Sequence, residues 1–153
     1  MKIGVVSDTH GLLRPEVPPA LAGVECILHL GDVGKSEILK SLATIAPLHA
    51  IRGNIDHTGP CSRLPETDVL LFEGHFLYLI HDLGALHLDP VAARFSAVLC
   101  GHSHRPHIDR RKGVLYFNPG SCGPRRFDLP VTIGILNLTR ASVEAQIIDL
   151  EIG

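Results

Sequence analysis

Aspartate and histidine side chains stand directly after apolar, strand-like runs at several points along the chain. Asp8 and His10 follow the run 2–7, and Asp32 follows the run 25–30 after a single glycine. Alternate residues of an extended segment project to the same side, which predicts that Asp8 and His10 converge on one ion. Alone, however, an Asp-x-His pair is more typical of a capped turn and a surface histidine.

Three further motifs repeat this placement. Asn54 follows a glycine after the apolar run 48–52, His81 follows 76–80, and a Gly-His-Ser-His segment carries His102 and His104. An asparagine oxygen is a neutral ligand, although Gly-Asn alone is typical of an ordinary turn and a lone histidine is more often structural. Two histidines at i and i+2 after a buried strand present both imidazoles to one side, which suits metal binding.

Together the five motifs place oxygen and imidazole donors at strand ends, where open α/β sheets form their ligand clefts. The set mixes carboxylate, amide and imidazole and contains no thiolate, which favours Mn, Fe, Zn or Ni in a hydrolytic centre over a structural zinc site. Seven donors are too many for one ion, and one carboxylate shared by two ions accounts for all of them. These seven candidate ligands are Asp8, His10, Asp32, Asn54, His81, His102 and His104.

The elements that must position these residues form the pattern of an α/β domain, in which apolar strands alternate with helix-like stretches. We predict helices at 15–21, 36–45 and 90–95, the second with Ser36 as its N-cap. The predicted strands are 2–7, 25–30, 48–52, 69–72, 75–80, 97–100, 114–117, 131–138 and 142–150. No internal repeat or linker divides the chain, so a single domain over residues 1–153 is predicted.

Composition excludes several classes of function. The net charge of −2 gives no general attraction to nucleic acid or membranes, and the absence of Trp argues against a base-stacking platform. No apolar segment approaches the roughly 20 residues that span a bilayer. The four scattered cysteines include no Cys-x-x-Cys pair, and with no signal peptide at the N-terminus they predict reduced thiols in the cytoplasm.

The ordered motifs resemble the calcineurin-like metallophosphoesterase superfamily, and most closely its small single-domain bacterial and archaeal phosphodiesterases. The family pattern runs Asp-x-His, Gly-Asp, Gly-Asn, a His after a strand, and Gly-His-x-His, and this chain carries all five in that order. The segment Asn118-Pro119-Gly120-Ser121 matches a further signature of the small subgroup. The resemblance covers residues 2–121 and implies a sandwich of two mixed β-sheets flanked by helices.

The resemblance also implies an activity and a division of labour among the ligands. The expected reaction is the hydrolysis of small phosphate esters, with diesters favoured, by a water activated between two divalent ions. Manganese is the first choice, with nickel, zinc, iron or magnesium as alternatives. One ion would be held by Asp8, His10 and His104, the other by Asn54, His81 and His102, and Asp32 would bridge them. We expect Asp32, Asn54 and His102 to serve catalysis most directly.

Two departures from the family pattern concern the leaving group and the ligand support. Many superfamily members place a histidine directly after the asparagine, where it protonates a leaving group or contacts phosphate, but this chain has Ile55 there. His57 is either a substitute acid or a solvent-facing loop residue, and we favour the second. Asp82 replaces a common glycine and either orients His81 or caps a turn.

Five arginines are candidates for binding phosphate oxygens, although surface arginines are more often solvated. The pair Arg125-Arg126 comes first because it closely follows the Asn-Pro-Gly-Ser segment, and the others are Arg14, Arg63 and Arg105. The remaining histidines have no motif context and receive no role; they are His29, His49, His75, His87 and His107.

Two alternatives to a small-ester hydrolase remain open. A protein-interaction scaffold of the same fold, as in a retromer subunit, is disfavoured because it has no need of seven intact ligands. A DNA nuclease is disfavoured by the negative net charge and the lack of a DNA-binding extension. The expected partner is a small phosphate-ester substrate. The sequence leaves open whether the chain forms a homo-oligomer, and no association with a membrane is expected.

Overall fold

A computed structural model describes residues 1–152 and consists mainly of two five-stranded β-sheets. The first sheet contains β1 (Lys2–Val6), β2 (Cys26–His29), β3 (Leu48–Ala50), β9 (Thr132–Leu138) and β10 (Val143–Asp149). The second contains β4 (Thr67–Phe72), β5 (His75–Ile80), β6 (Phe95–Leu99), β7 (His107–Arg111) and β8 (Val114–Asn118). The predicted fold class, two mixed sheets with few helices, is confirmed.

Both sheets have three neighbouring parallel strands, and this shared feature builds the site. The first sheet has the order β10-β9-β1-β2-β3, with β1, β2 and β3 parallel and β9 antiparallel to β1. The second has the order β4-β5-β6-β8-β7, with β5, β6 and β8 parallel. Because parallel strands end at the same sheet edge, the loops after β1, β2, β3, β5 and β6 can meet.

The main core lies between the two sheets, where alternate residues of each strand point inward. Ile3 and Val5 of β1 are fully buried there, opposite Leu77 and Leu79 of β5, and Phe117 of β8 joins them. Burying such side chains stabilises the fold by about 1.5–3 kcal/mol each. The sandwich therefore holds the strand ends on a close-packed and rigid base.

Two helices cover the outer face of the first sheet. α1 (Val17–Ala20) is a single turn with prolines in its first positions, and α2 (Ser36–Ala43) is amphipathic and buries Ile38 and Leu42. The predicted Ser36 cap is wrong: Lys35 is the N-cap residue and no side chain caps this helix. None of the helices in residues 1–152 has the length and apolar character needed to cross a bilayer.

The outer face of the second sheet is covered by the irregular segment 81–94 in place of the helix predicted at 90–95. This stretch forms turns, closed by the Ala93 amide donating to the Asp89 carbonyl and ended by Arg94, whose φ is +62°. Phe95, the last residue of the predicted helix, is taken into β6. Leu83 and Leu86 of the segment pack on the sheet.

Candidate metal centre

The loops after five parallel strands bring all seven candidate ligands together at one edge of the sandwich. Donor atoms of Asp8, His10 and His104 lie within 4.8 Å of one another and form the first cluster. Those of Asp32, His81 and His102 form the second cluster by the same measure. The seventh candidate, Asn54, joins the second cluster, since its Oδ1 lies 3.1 Å from both His81 Nε2 and His102 Nδ1.

Asp32 lies between the two clusters. Its Oδ2 is 3.3 Å from His81 Nε2 in the second cluster and 3.6 Å from His10 Nε2 in the first. Asp8 Oδ1 lies 3.4 Å from His104 Nε2, 3.6 Å from His10 Nε2 and 3.9 Å from His81 Nε2. Both carboxylates therefore face imidazoles of both clusters, and Asp32 is the closer of the two to His81.

The backbone that achieves this convergence is not the extended one that the sequence suggested. Five of the candidate ligands have left-handed φ angles: Asp8 (+59°), His10 (+45°), Asp32 (+56°), His102 (+69°) and His104 (+62°). Asp8 and His10 lie in one cluster as predicted, whereas His102 and His104 lie in different clusters, and the extended backbone expected for both pairs is wrong. Each such non-glycine residue costs on the order of 1–3 kcal/mol, and strain of this kind clusters at ligand sites.

The donor chemistry of the site fits bound cations. His81 Nδ1 lies 2.7 Å from the carbonyl of Leu30 and must donate to it, so the lone pair of the neutral ring is on Nε2. That lone pair faces the oxygens of Asn54 and Asp32. Asp8 Oδ1 is buried without a hydrogen-bond partner, surrounded by imidazoles. Electron pairs facing each other at such distances need positive charge between them.

The charges of the site also favour bound cations. Burial by itself would raise the pKa of Asp8, yet the imidazoles of His10 and His104 and the Ser7 hydroxyl hold it well below its usual range. Burial would lower the pKa of His81, but Asp32 and Asp8 raise it. The carboxylates thus stay ionised and make the site attractive to cations.

Two motif glycines are required because the neighbouring ligands approach their backbone closely. A Cβ on Gly53 would overlap the Asp32 carboxylate, and a Cβ on Gly101 would overlap the Ser7 hydroxyl and lie 2.7 Å from Asp8 Oδ2. Neither glycine has a left-handed φ. Their role in the Gly-Asn and Gly-His-x-His motifs is therefore to make room for carboxylates.

Asp56 is a supporting residue that the sequence analysis missed. It is 2% exposed, and its carboxylate accepts hydrogen bonds from the amides of Gly53 (2.9 Å), Val33 (3.0 Å) and Gly34 (3.1 Å). These contacts tie the loop that carries Asp32 to the loop that carries Asn54. The partners at 33 and 34 are more than 20 residues distant in sequence, so no local pattern signals them.

His29, which received no role, is a second buried support. Burial lowers its pKa to about 4, so the ring is neutral. Its Nδ1 accepts from the amide of Gly31 at 3.1 Å, which leaves Nε2 to donate to Thr9 Oγ1 at 3.0 Å. Thr9 in turn donates to the Val33 carbonyl. The ring fixes the loops after β1 and β2 against each other.

The Asn-Pro-Gly-Ser segment stabilises two of the motif loops by hydrogen bonds. Asn118 Nδ2 donates to the Gly101 carbonyl at 2.9 Å and to Ser103 Oγ at 3.1 Å, while Ser121 Oγ donates to the Asp8 carbonyl at 3.0 Å. This subgroup signature therefore lies beside the candidate ligands and orients two of their loops.

Two clefts flank the site and share the side chains of Asp82 and His102. The Tyr78 cleft, about 440 Å³, reaches from Asn54 and His81 along the outer face of β5. The Arg105 cleft, about 530 Å³, lies on the opposite side of His102. A group held at the centre of the site can therefore extend in two directions.

The other predicted contributors have mixed outcomes. Asp82 accepts from the Gly84 amide at 2.9 Å and so caps a turn, while its nearest imidazole is that of His102 at 3.9 Å. Within the described residues Arg105 lines a cleft beside the site, whereas the favoured pair Arg125-Arg126 lines neither. Arg125 donates instead to the Ile152 carbonyl. The remaining arginines, Arg14 and Arg63, line neither cleft.

A cluster of carboxylate, amide and imidazole donors at one sandwich edge is typical of metal-dependent hydrolases. The model of the calcineurin-like phosphoesterase superfamily domain matches residues 1–141. The chain belongs to this superfamily, which confirms the predicted family and the class of enzyme, a metallophosphoesterase.

Curated relatives support the family assignment, and solved structures support the fold. A probable metallophosphoesterase of Methanothermobacter thermautotrophicus is 35% identical, over 97% of this chain and 92% of its own length. A probable metallophosphoesterase of Methanocaldococcus jannaschii is 33% identical, over 99% of this chain and 82% of its own length. An archaeal phosphodiesterase structure superposes with a TM-score of 0.79 at 24% identity, covering 97% and 100% of the two chains. The structure of Vps29 from Chaetomium thermophilum superposes with a TM-score of 0.80 at 14% identity. The superposition covers 97% of this chain and 94% of that one, which shows a shared fold.

Proposed function

We propose that this chain hydrolyses phosphodiesters at a centre of two divalent ions held by the seven candidate ligands. Asp8, His10 and His104 would hold one ion, Asn54, His81 and His102 the other, and Asp32 would bridge them. The observation that carries the proposal is the position of Asp32 Oδ2, within 3.3–3.6 Å of imidazoles from both clusters. Manganese is the preferred ion, with nickel, zinc, iron or magnesium as alternatives.

Such a pair of ions supplies an activated water and neutralises charge on the phosphoryl oxygens. The residues of this chain would hold the ions and orient the side chains that bind them. The Leu30 carbonyl fixes the tautomer of His81, and the Ile55 amide holds Asp32 Oδ1 at 3.0 Å, which leaves Oδ2 directed at the two clusters. Ser7 Oγ, at 2.6 Å, and the amide of His102, at 3.1 Å, fix Asp8 Oδ2 in the same way.

No dedicated acid stands at the position after Asn54. Ile55 is there, 37% exposed, and it contributes its backbone amide alone to Asp32. The side chain at this position cannot protonate the leaving oxygen, so good leaving groups are favoured.

The two clefts support diesters over monoesters as substrates. The phosphorus of a diester carries two organic substituents, and cavities of about 440 and 530 Å³ extend from the site on either side of His102. A monoester would leave one of them without an occupant. Both clefts suit small substituents, and the net charge of −2 disfavours a nucleic acid polymer.

The scaffold alternative rests on fold likeness, since Vps29 structures have the same architecture at low identity. One of these neighbours, from Entamoeba histolytica, is a zinc complex. The complete donor set of this chain favours the hydrolase. We place the single domain of residues 1–153 in the cytoplasm, which its four free, buried thiols support.

The direct test is turnover of matched mono- and diesters by metal-stripped protein reloaded with Mn, Ni, Zn or Mg. The proposal expects diester cleavage that is lost on chelation and restored by at least one of these ions, with the corresponding monoester cleaved more slowly. Equal and low release from both esters under all four ions would contradict it.

A further inference from the structure

The Tyr78 cleft differs chemically from the candidate ligands beside it, because part of its wall is apolar. Tyr78 and Ile80 project from the outer face of β5, and Ala85 and Leu88 close the cleft from the segment above. Tyr78 is held in place by stacking on Phe95, with ring centroids 5.0 Å apart and an interplanar angle of 11°. A fixed aromatic wall beside a slot lined by aliphatic groups suits a flat ring.

Charge at the cleft disfavours an anionic occupant. The Arg52 guanidinium is already engaged, at 2.8 Å from both the Glu66 carboxylate and the Ser62 carbonyl. With that pair neutral overall, no free guanidinium or ammonium group of residues 1–152 lines the cleft, and Asp82 adds a carboxylate. An anionic substituent, such as a second phosphate, would find no cationic side chain of these residues to pair with there, whereas an uncharged ring needs none.

Two further polar residues line the cleft besides the candidate ligands, Asp82 and the Arg52–Glu66 pair. Thr67 and His87 line the cleft and are exposed to solvent, while the Ile80 side chain near the ligands is 6% exposed. A ring with an apolar face and a polar edge would therefore bury the face and keep the edge near hydrogen-bonding groups.

We infer that the Tyr78 cleft is a substituent subsite that selects phosphate esters carrying an uncharged planar ring, either an aryl group or a nucleobase. This rests on the proposed function, because the cleft opens on Asn54, His81 and His102, which would hold one of the ions. Leu88 is a specificity-determining residue, since its exposed side chain forms the wall that solvent also reaches.

Binding of phosphonates tests this without turnover, because their C–P bond resists hydrolysis. Calorimetry on the manganese-loaded protein compares phenylphosphonate with methylphosphonate, which share the charged group and differ in the ring. We expect phenylphosphonate to bind at least about tenfold more tightly. A nucleoside 5′-methylenephosphonate then separates the two ring sources: tighter binding than phenylphosphonate assigns a nucleobase, and weaker binding assigns an aryl group.

Leu88→Asp should reduce the phenyl preference to less than about twofold, because it introduces charge into the apolar slot. Val91→Asp is the matched control, since Val91 is an exposed apolar residue of the same segment that does not line the cleft, and it should keep the tenfold preference. Ala85→Asp repeats the test at a second exposed wall position. Equal binding of both phosphonates to the wild type, or a preference that survives both wall variants, would overturn the inference alone. Failure of both phosphonates to bind would instead overturn the proposed function and the inference with it.

Discussion

Asp56 provides the sharpest test of how the fold positions the site, because it contacts no candidate ligand side chain. Its Oδ2 accepts from the amides of Val33 and Gly53, and its Oδ1 accepts from Gly34. In Asp56→Asn the new carboxamide keeps its oxygen toward the first two donors and places its NH₂ about where the third amide points. One charge-assisted hydrogen bond is lost, and two donors face each other in a buried position.

The expected cost follows from these contacts. A buried donor left unsatisfied, together with the loss of charge at two other hydrogen bonds, amounts to about 3 kcal/mol. For a chain of this size that lowers the Tm by roughly 6–12 °C. Because Asp56 joins the loops of Asp32 and Asn54, we also expect manganese to bind about 10–100-fold more weakly.

The assay is a thermal melt of the metal-free protein together with calorimetric titration of manganese. Asp89→Asn is the matched control: the Asp89 carboxylate accepts from one amide, that of Val91 at 3.0 Å, at an exposed position that lines neither cleft. It should change the Tm by less than about 2 °C and leave manganese affinity intact. An Asp56→Asn variant with the wild-type Tm and wild-type manganese affinity would refute the reasoning.

Two further substitutions test the chemistry. Asp32→Asn should keep the fold and cut diester turnover by orders of magnitude, because an amide cannot neutralise two ions; near-normal kcat/KM with every metal would exclude the bridge. Ile55→His should improve alkyl esters more than activated aryl esters, since general acid assistance contributes about 10²–10⁴-fold to a poor leaving group. The measurement is kcat/KM on one ester of each kind, with His57→Ala as the control, and an alkyl-specific loss in that control would make His57 the acid.

The candidate ligands could be predicted from sequence because each belongs to a short motif at the end of an apolar strand. The predicted strands around them are confirmed with small shifts in their ends; the run 25–30, for example, contains β2 (Cys26–His29). What the motifs do not encode is the backbone conformation of the loops. Left-handed residues such as Asp8 and His10 arise from packing between loops, so the extended geometry expected for them was wrong.

The supporting residues escaped prediction for a related reason. Asp56 accepts from the amide of Val33, 23 residues away, and His29 contacts the Thr9 hydroxyl, 20 residues away, and no local spacing reveals such contacts. β7 (His107–Arg111) was also missed, because this polar edge strand is largely exposed and shows no apolar alternation. Periodicity detects elements that bury one face, and it is silent on elements held mainly by backbone hydrogen bonds.

The most direct measurement of the central claim is anomalous diffraction from crystals of the protein loaded with manganese. The two-ion proposal expects two anomalous peaks, one among Asp8, His10 and His104 and one among Asn54, His81 and His102, with the Asp32 carboxylate between them. A single peak at saturating manganese, or peaks that do not contact Asp32, would contradict it.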